Sequence, residues 1–336
     1  MTISNLPNIV SALTLSRTVS DLKPKLVEAQ QEAVTGQISD LNAAKSGEVG
    51  SVLSLRKSIS DAETYRAGVI LGSTRAAIAQ EALGRVEEGL TAFATDILST
   101  IELEEQPRLT VIAEDARGRL ETAVSALNIR HGDRSLFAGS AVDGPAIASA
   151  DDIISQVSAI LAAAPDAATA EADLALFFDD PAGGFFGGVY LGDSGDSGIT
   201  QTGALSSIDY GQRADDSAIR DVIKGLAVLA AHDDAGFSGD IDETKQLLGY
   251  ASGALLDADD GVTRMRGTLG AAEARLDEAR TYLEATTTTL NIALNEETGV
   301  DQFEAATLFQ NLSTQLETAY ISSARLASLN FANFIR

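Results

Sequence analysis

A heptad alternation at each end of the chain constrains its fold more than any other feature. Toward the C-terminus, Ala305, Phe309, Leu312, Leu316, Ala319, Ser323, Leu326 and Asn330 recur at alternating four- and three-residue steps. That is the seam of a helix that packs lengthwise on another helix. Near the N-terminus, Leu15, Val19, Leu22, Leu26, Ala29, Ala33 and Gly36 follow the same alternation. Such a seam most often serves internal packing. Both seams here carry small or polar members (Ala29, Ala33, Gly36, Ala319, Ser323, Asn330), and a lone helix pair so lightly furnished is marginal in water. The expectation is that the two ends pair and that the chain then assembles through them. The assembly-contact candidates are Leu15, Val19, Leu22 and Leu26 on the first helix. On the last they are Phe309, Leu312, Leu316, Ala319, Leu326 and Phe331.

Composition narrows the function classes. A chain of 336 residues has room for two or three domains and a sizeable core. Hydrophobic residues make up 45%, but only 5% are aromatic and there is no Trp. A small, Ala-rich apolar set suits close helix packing. The net charge of −25 leaves no basic stripe to neutralise phosphates, which argues against nucleic-acid binding and against docking on anionic membranes. With no Cys there are no disulfides and no thiolate zinc sites. The opening MTISNLPNIV lacks a basic region followed by an apolar one, so no general secretory signal peptide is expected. No apolar run approaches the ~20 residues that span a bilayer, and no membrane insertion is expected.

Taken in order, residues 4–35 predict a first helix, broken or kinked near Pro24, which has no N–H to donate. Gly36 to Gly50 reads as a linker. Ser60 and Glu63 suggest a capping box. Gly72, Ala76, Ala79, Leu83, Val86, Leu90, Phe93 and Ile97 continue a seam that Pro107 should end. Leu109 to Leu127 predicts a further helix reaching His131. Residues 138–262 then change in character, with 22 acidic against 4 basic side chains, a net of −18. Phe177, Phe178, Phe185, Phe186, Tyr190, Tyr210, Phe237 and Tyr250 lie in this segment and can seed a small core. Strands are expected around 188–191 and 199–210, and helices around 151–163, 166–178, 215–231 and 242–257. From Val262 the helical period returns. Asp301 is a candidate N-cap for the last helix.

The fold expected is therefore mainly α. Both chain ends form an elongated antiparallel helical bundle or coiled coil, and a small α+β domain is inserted. Residues 1–45 with 295–336 form the terminal helix pair. Residues 46–137 with 262–294 form a helical rod domain, and 138–261 form the acidic insert.

Little in the chain points to chemistry. Gly192-Asp193-Ser194-Gly195-Asp196-Ser197-Gly198 resembles the surroundings of a serine nucleophile. The only histidines, His131 and His232, sit in no companion motif, so a Gly/Asp/Ser turn is favoured. The Asp pairs 151–152, 179–180, 233–234 and 259–260 lack the alternating spacing of a calcium loop and read as a solvated acidic face. His131 is expected to cap a helix end. No metal, cofactor or catalytic residue is expected.

Several segments resemble the bacterial flagellin superfamily. Gln31-Glu32-Ala33-Val34-Thr35-Gly36 resembles the end of that family's first helix. Leu127 to Ser140, with its Leu136-Phe137-Ala138-Gly139-Ser140 turn, is similar to the entry into the variable domain of the hook–filament junction branch, the third hook-associated proteins. Tyr190–Gly195 and Ile208–Asp216 resemble insert segments of that branch, and Gln315–Leu326 its C-terminal helix. A filament subunit would carry a longer Asp-Asp-Ala-Ala-Gly-like motif, where this chain has Asp40-Leu41-Asn42-Ala43-Ala44. The resemblance implies a structural axial protein of the flagellum, outside the cell and exported by the flagellar type III route. It also implies a ring of copies, contacts with a neighbouring hook-associated protein and flagellin, and an export chaperone that binds Leu312, Leu316, Leu326 and Phe331. The competing expectations are a short filament flagellin and, in another class, a secreted serine hydrolase using Ser194 or Ser197.

Overall fold

The computed structural model describes the backbone of residues 6–45, 47, 49–103, 106–195 and 198–334. Side chains are described for these except 6–9, 11, 12, 102, 103, 106–110 and 326–334. The fold is mainly α. In chain order the elements are α1 (Leu6–Thr35), α2 (Leu41–Ala44), α3 (Gly50–Glu87), α4 (Leu90–Leu103), α5 (Gln106–Leu127), β1 (Arg130–His131) and β2 (Arg134–Ser135). There follow α6 (Ala150–Ala163), α7 (Ala167–Asp179), β3 (Ile199–Gln201), β4 (Ser207–Asp209), α8 (Ser217–Ala231), α9 (Ile241–Thr298) and α10 (Gln302–Phe334). The chain divides into two compact units, Met1–Glu63 with Glu284–Arg336, and Thr64–Leu283.

The unit of the chain ends is built on α1 and α10, its most extensive packing pair. Both helices are stopped and started by local chemistry. Gly36 ends α1 with φ of 68°, a left-handed turn that a Cβ would strain and crowd against Gln302. Its carbonyl accepts from Val300 N at 3.0 Å, and Ile38 N donates to Thr298 O at 2.8 Å, so a one-residue antiparallel bridge joins Gln37 to Gly299. Asp301 caps α10, its Oδ1 accepting from Phe303 N at 2.8 Å and Glu304 N at 3.2 Å. The C-terminal end of α1 thus lies beside the N-terminal end of α10, and the two helices run antiparallel. Lys45 Nζ meets Glu297 Oε2 at 2.6 Å on the same unit.

The unit 64–283 is centred on α8, whose buried residues run from Ala218 to Ala231 around nearly the whole helix. It packs on α5, α6 and α7. Asp216, Asp166 and Ser149 cap α8, α7 and α6, each accepting a backbone N–H of the first turn. The carboxyl of Asp166 is held below its ordinary range by the Thr169 backbone and side-chain hydrogen bonds. Phe177, Phe178, Phe185 and Tyr190 pack ring against ring in sequence, edge-on, tilted and stacked in turn, with centroids 5.0 to 6.5 Å apart. Asn128 ties the entry segment down: its Oδ1 accepts from Ala146 N and Ile147 N, and its Nδ2 donates to Ile147 O. In the following turn Gly139 (φ 60°) lies so close to the Asp193 carbonyl that a Cβ would fall 2.0 Å from it. Strands β3 and β4 form a hairpin in the register Ile199↔Asp209, Thr200↔Ile208 and Gln201↔Ser207. Its turn closes through Thr202 N to Ser206 O and leaves Leu205 fully exposed. Thr200 Oγ1 donates to Gly68 O at 3.0 Å, which docks the hairpin on α3.

Several local expectations are corrected. α1 continues unbroken through Pro24. The stretch after Gly36 holds the short α2, capped by Asp40. Ser60 lies inside α3 and starts no helix. The seam from Gly72 to Ile97 is interrupted at Gly89 (φ 72°), and α4 ends at Leu103, while Pro107 is the second residue of α5, where its missing N–H costs nothing. His131 is no helix cap: it pairs with Arg134 across the β1–β2 turn. Residues 185–189 form a π-helical turn rather than a strand, with a single bridge from Tyr190 to Ile147. The predicted break between 257 and 262 is absent, because α9 runs through it.

Candidate assembly surface

The predicted seams face each other. On α1, Ala29 is buried and Leu15, Val19, Leu22, Leu26 and Ala33 are half-buried. On α10, Ala305, Leu312 and Ala319 are buried, and Phe309, Leu316 and Ser323 are half-buried. The small residues let the backbones approach, and the larger ones flank the line of contact with part of each side chain still in water. Lys23 Nζ lies 5.9 Å from the Tyr320 ring and bridges the pair at its edge. Leu326 and Phe331 belong to α10, but their side chains are outside the described residues.

Spending the seam on the partner helix leaves a second apolar set outside. Val10, Leu13, Val27 and Val34 of α1 and Phe303, Leu308, Tyr320 and Ile321 of α10 are exposed, Val34 to 76% and Phe303 to 83%. Leu13, Val27 and Val34 stand at multiples of seven residues and make one stripe. Phe303 and Ile321 are 18 residues apart, five whole turns, and so share a face. The sequence held this signal: positions 13, 20, 27 and 34 form a second heptad register on the same helix as the seam.

The remaining exposed positions of α10 are unusual for a solvated face. Between Gln302 and Arg325 only Glu304, Glu317 and Arg325 are charged. The others are Thr, Gln, Asn and Ser, with Ala324. Several hydroxyls are satisfied within their own helix: Thr307, Thr314 and Thr318 donate to the carbonyl four residues back, at 2.8 to 3.0 Å. Thr14 and Thr18 do the same on α1, and Thr288 and Thr289 on the last part of α9. A hydroxyl with an internal partner loses little when a neighbour covers it, whereas a charge is costly to cover. This surface of α10 therefore carries few charges and several hydroxyls already bonded within the helix.

The other sequence candidates lie in the unit 64–283. Asp193 Oδ2 accepts from Ser140 Oγ at 2.7 Å, and its Oδ1 from Ser194 N at 2.6 Å. These hydrogen bonds, that of Ser140 foremost, hold its carboxyl below the ordinary range. Arg213 Nη1 donates to the Ser194 carbonyl. Ser194 Oγ meets only Asp193 Oδ1, at 3.4 Å, among the described residues, and Ser197 lies outside them. His232 is buried with Nδ1 2.8 Å from Leu229 O. Among the described residues no group of three His, Asp or Glu side chains is placed to hold a metal ion. No helix among them is long and apolar enough to cross a membrane.

Residues 253–335 match the family model of the bacterial flagellin C-terminal helical region. The match spans the last part of α9 and all of α10. No curated protein sequence matches the chain. Among solved structures, FlgL of Bacillus cereus is 14% identical, with 74% of this chain and 99% of that one covered and a TM-score of 0.49. A flagellar hook-associated protein from Vibrio parahaemolyticus is 13% identical over 71% of this chain and 95% of that one, at a TM-score of 0.41.

Proposed function

We propose that this chain is a structural, non-catalytic axial component of a bacterial flagellum, joining hook to filament through its terminal helices. The observation that carries the reading is the flagellin C-terminal match over residues 253–335, which takes in α10 and its exposed apolar residues. In this reading the pair α1–α10 is the assembly core, with residues 46–137 and 262–294 as a rod domain and 138–261 as the acidic insert. Copies pack side by side through the exposed stripes of α1 and α10. The seam residues Leu15, Val19, Leu22, Leu26, Phe309, Leu312, Leu316 and Ala319 keep each pair closed. The net −18 of residues 138–262 opposes aggregation of the insert in water. The partners are further copies in a ring, a neighbouring hook-associated protein and flagellin, and an export chaperone for the C-terminal helix. The location is the extracellular flagellum.

The flagellin match equally suits a short filament subunit, and one experiment separates the two. Purified protein is added to hook or filament fragments, and growth is followed by electron microscopy. A short cap that stops, or that then accepts a different flagellin, is the expected result. Long filaments growing from the seeds would make it a filament flagellin. Failure to associate with either seed would remove the axial role.

A further inference from the structure

Aspartate is followed by glycine twice in this chain, at Asp143-Gly144 and Asp260-Gly261. Such a pair can rearrange, because glycine has no Cβ to keep its amide away from the preceding carboxyl. Whether it does depends on the backbone, and the two pairs are housed in opposite ways. Asp260 and Gly261 lie inside α9, where the helical hydrogen bonds hold the amide. Gly261 is buried there, close against Ala218. Asp143 and Gly144 lie in the turn between β2 and α6. Asp143 is exposed, and a Cβ on Gly144 would meet no atom within 4 Å. Among the described residues the Gly144 N–H donates to no backbone carbonyl. A third aspartate, Asp193, precedes Ser194 in a loop. Its carboxyl is tied to Ser140 Oγ and Ser194 N, and these bonds keep it ionised, which makes it a poor electrophile.

One further contact favours reaction at 143. Arg130 Nη1 donates to the Asp143 carbonyl at 2.8 Å. The cation draws electron density from the peptide that joins Asp143 to Gly144 and so makes the Gly144 N–H more acidic. We propose that Asp143 is a site of spontaneous isomerisation to isoaspartate. Gly144 N loses its proton and forms a bond to Asp143 Cγ. The carboxyl hydroxyl leaves, takes up that proton as water, and a five-membered succinimide closes. Water then adds to one of the two ring carbonyls and breaks its bond to nitrogen. Opening at Cγ restores aspartate. Opening at the α-carbonyl leaves the main chain running through the side chain, one methylene longer. The product is an isomer, and water is the only other reactant. The change lands beside Val142, whose carbonyl accepts from Ser135 N at 2.8 Å. It also moves the carbonyl that Arg130 holds together with that of Asp133. The β1–β2 turn thereby loses part of its tie to the segment leading into α6.

The test keeps the full chain in neutral buffer for weeks and then digests it. Electron-transfer fragmentation tells isoaspartate from aspartate in each peptide. An isoaspartyl methyltransferase with labelled S-adenosylmethionine measures the total. The expected product grows with time at 143 and exceeds that at 193 and 260 several-fold, and unfolding in urea brings 260 up to the level of 143. Gly144→Ala, which has room for its Cβ, loses most of the product at an unchanged thermal midpoint. In the aged chain a fast-exchanging fraction of the Ser135 amide grows in step with the product. An aged chain without isoaspartate at 143, or with as much at 260, overturns the proposal. So does an undiminished yield in Gly144→Ala. Product at 143 with unchanged Ser135 exchange overturns the loosening of the turn.

Discussion

Phe178 and Leu312 are buried in different units, and they are covered in different ways. Phe178 is wholly buried among other aromatic rings and beneath α8, all supplied by its own unit. Leu312 is buried too, but its seam neighbours Phe309 and Leu316 keep part of their surface in water. The unit 64–283 closes a core on itself. The unit of the chain ends has a line of contact where a core would be, with a second apolar set on its outside. The lesson is one of completeness: one unit closes a core of its own, and the other, in the proposed reading, is finished by neighbours.

Substitutions can break that comparison. Leu316→Asp places a charge in the seam and should abolish growth on seeds, while the thermal transition of the unit 64–283 stays unchanged. Normal assembly of this variant would sink the idea that the seam organises the outer surface. Phe178→Ala should do the reverse, removing about 3–5 kcal/mol from the unit 64–283 in urea unfolding by leaving a cavity in a closed core. A loss below about 1 kcal/mol would show that core to be as open as the seam.

A third variant tests an ion pair of the closed unit. Glu87 accepts hydrogen bonds from Thr263 and Arg266. Burial alone would raise its carboxyl pKa, but those hydrogen bonds and the Arg266 charge together outweigh it and hold the pKa below 4.5. A lowered folded pKa stabilises above the ordinary value, and that contribution is lost as pH falls through the folded one. Glu87→Gln should therefore cost about 1–2 kcal/mol at pH 7, and the gap to the native chain should close below pH 4.5. A gap that stays constant down to pH 3 would mean the charge contributes nothing. The smallest effect belongs to the outer stripe. Val27→Ser should leave monomer stability within about 0.5 kcal/mol yet raise the concentration needed for assembly. An unchanged critical concentration would place the contact on another face.

Much of this was legible in the sequence, for identifiable reasons. The seams of α1 and α10 follow from periodicity alone, and Asp301 announces its cap by residue type and position. Helices 150–163, 167–179 and 217–231 fall within two residues of expectation at each end. What failed was the meaning of the glycine and acidic residues between 257 and 262. Gly261, with Asp257, Asp259 and Asp260 before it, looks like a loop. Yet a Cβ on Gly261 would come within 2.5 Å of Ala218 Cβ, and one on Gly225 within 2.7 Å of Leu255. Glycine is present on these two helices because α8 and α9 approach closely, a tertiary demand that local propensity does not register. The outer stripe escaped for another reason. The strongest heptad on each helix is covered by the partner helix, and the exposed apolar positions lie on a weaker register beside it. Val34 and Phe303 stand out as exposed apolar residues only when the internal partner is known.

The turn of the β3–β4 hairpin carries a practical consequence. Leu205 is fully exposed, and the backbone bond that closes the turn runs between Thr202 and Ser206. A foreign peptide spliced in at Leu205 would break no strand register. Such a tip is a display position, presenting a guest sequence once per chain.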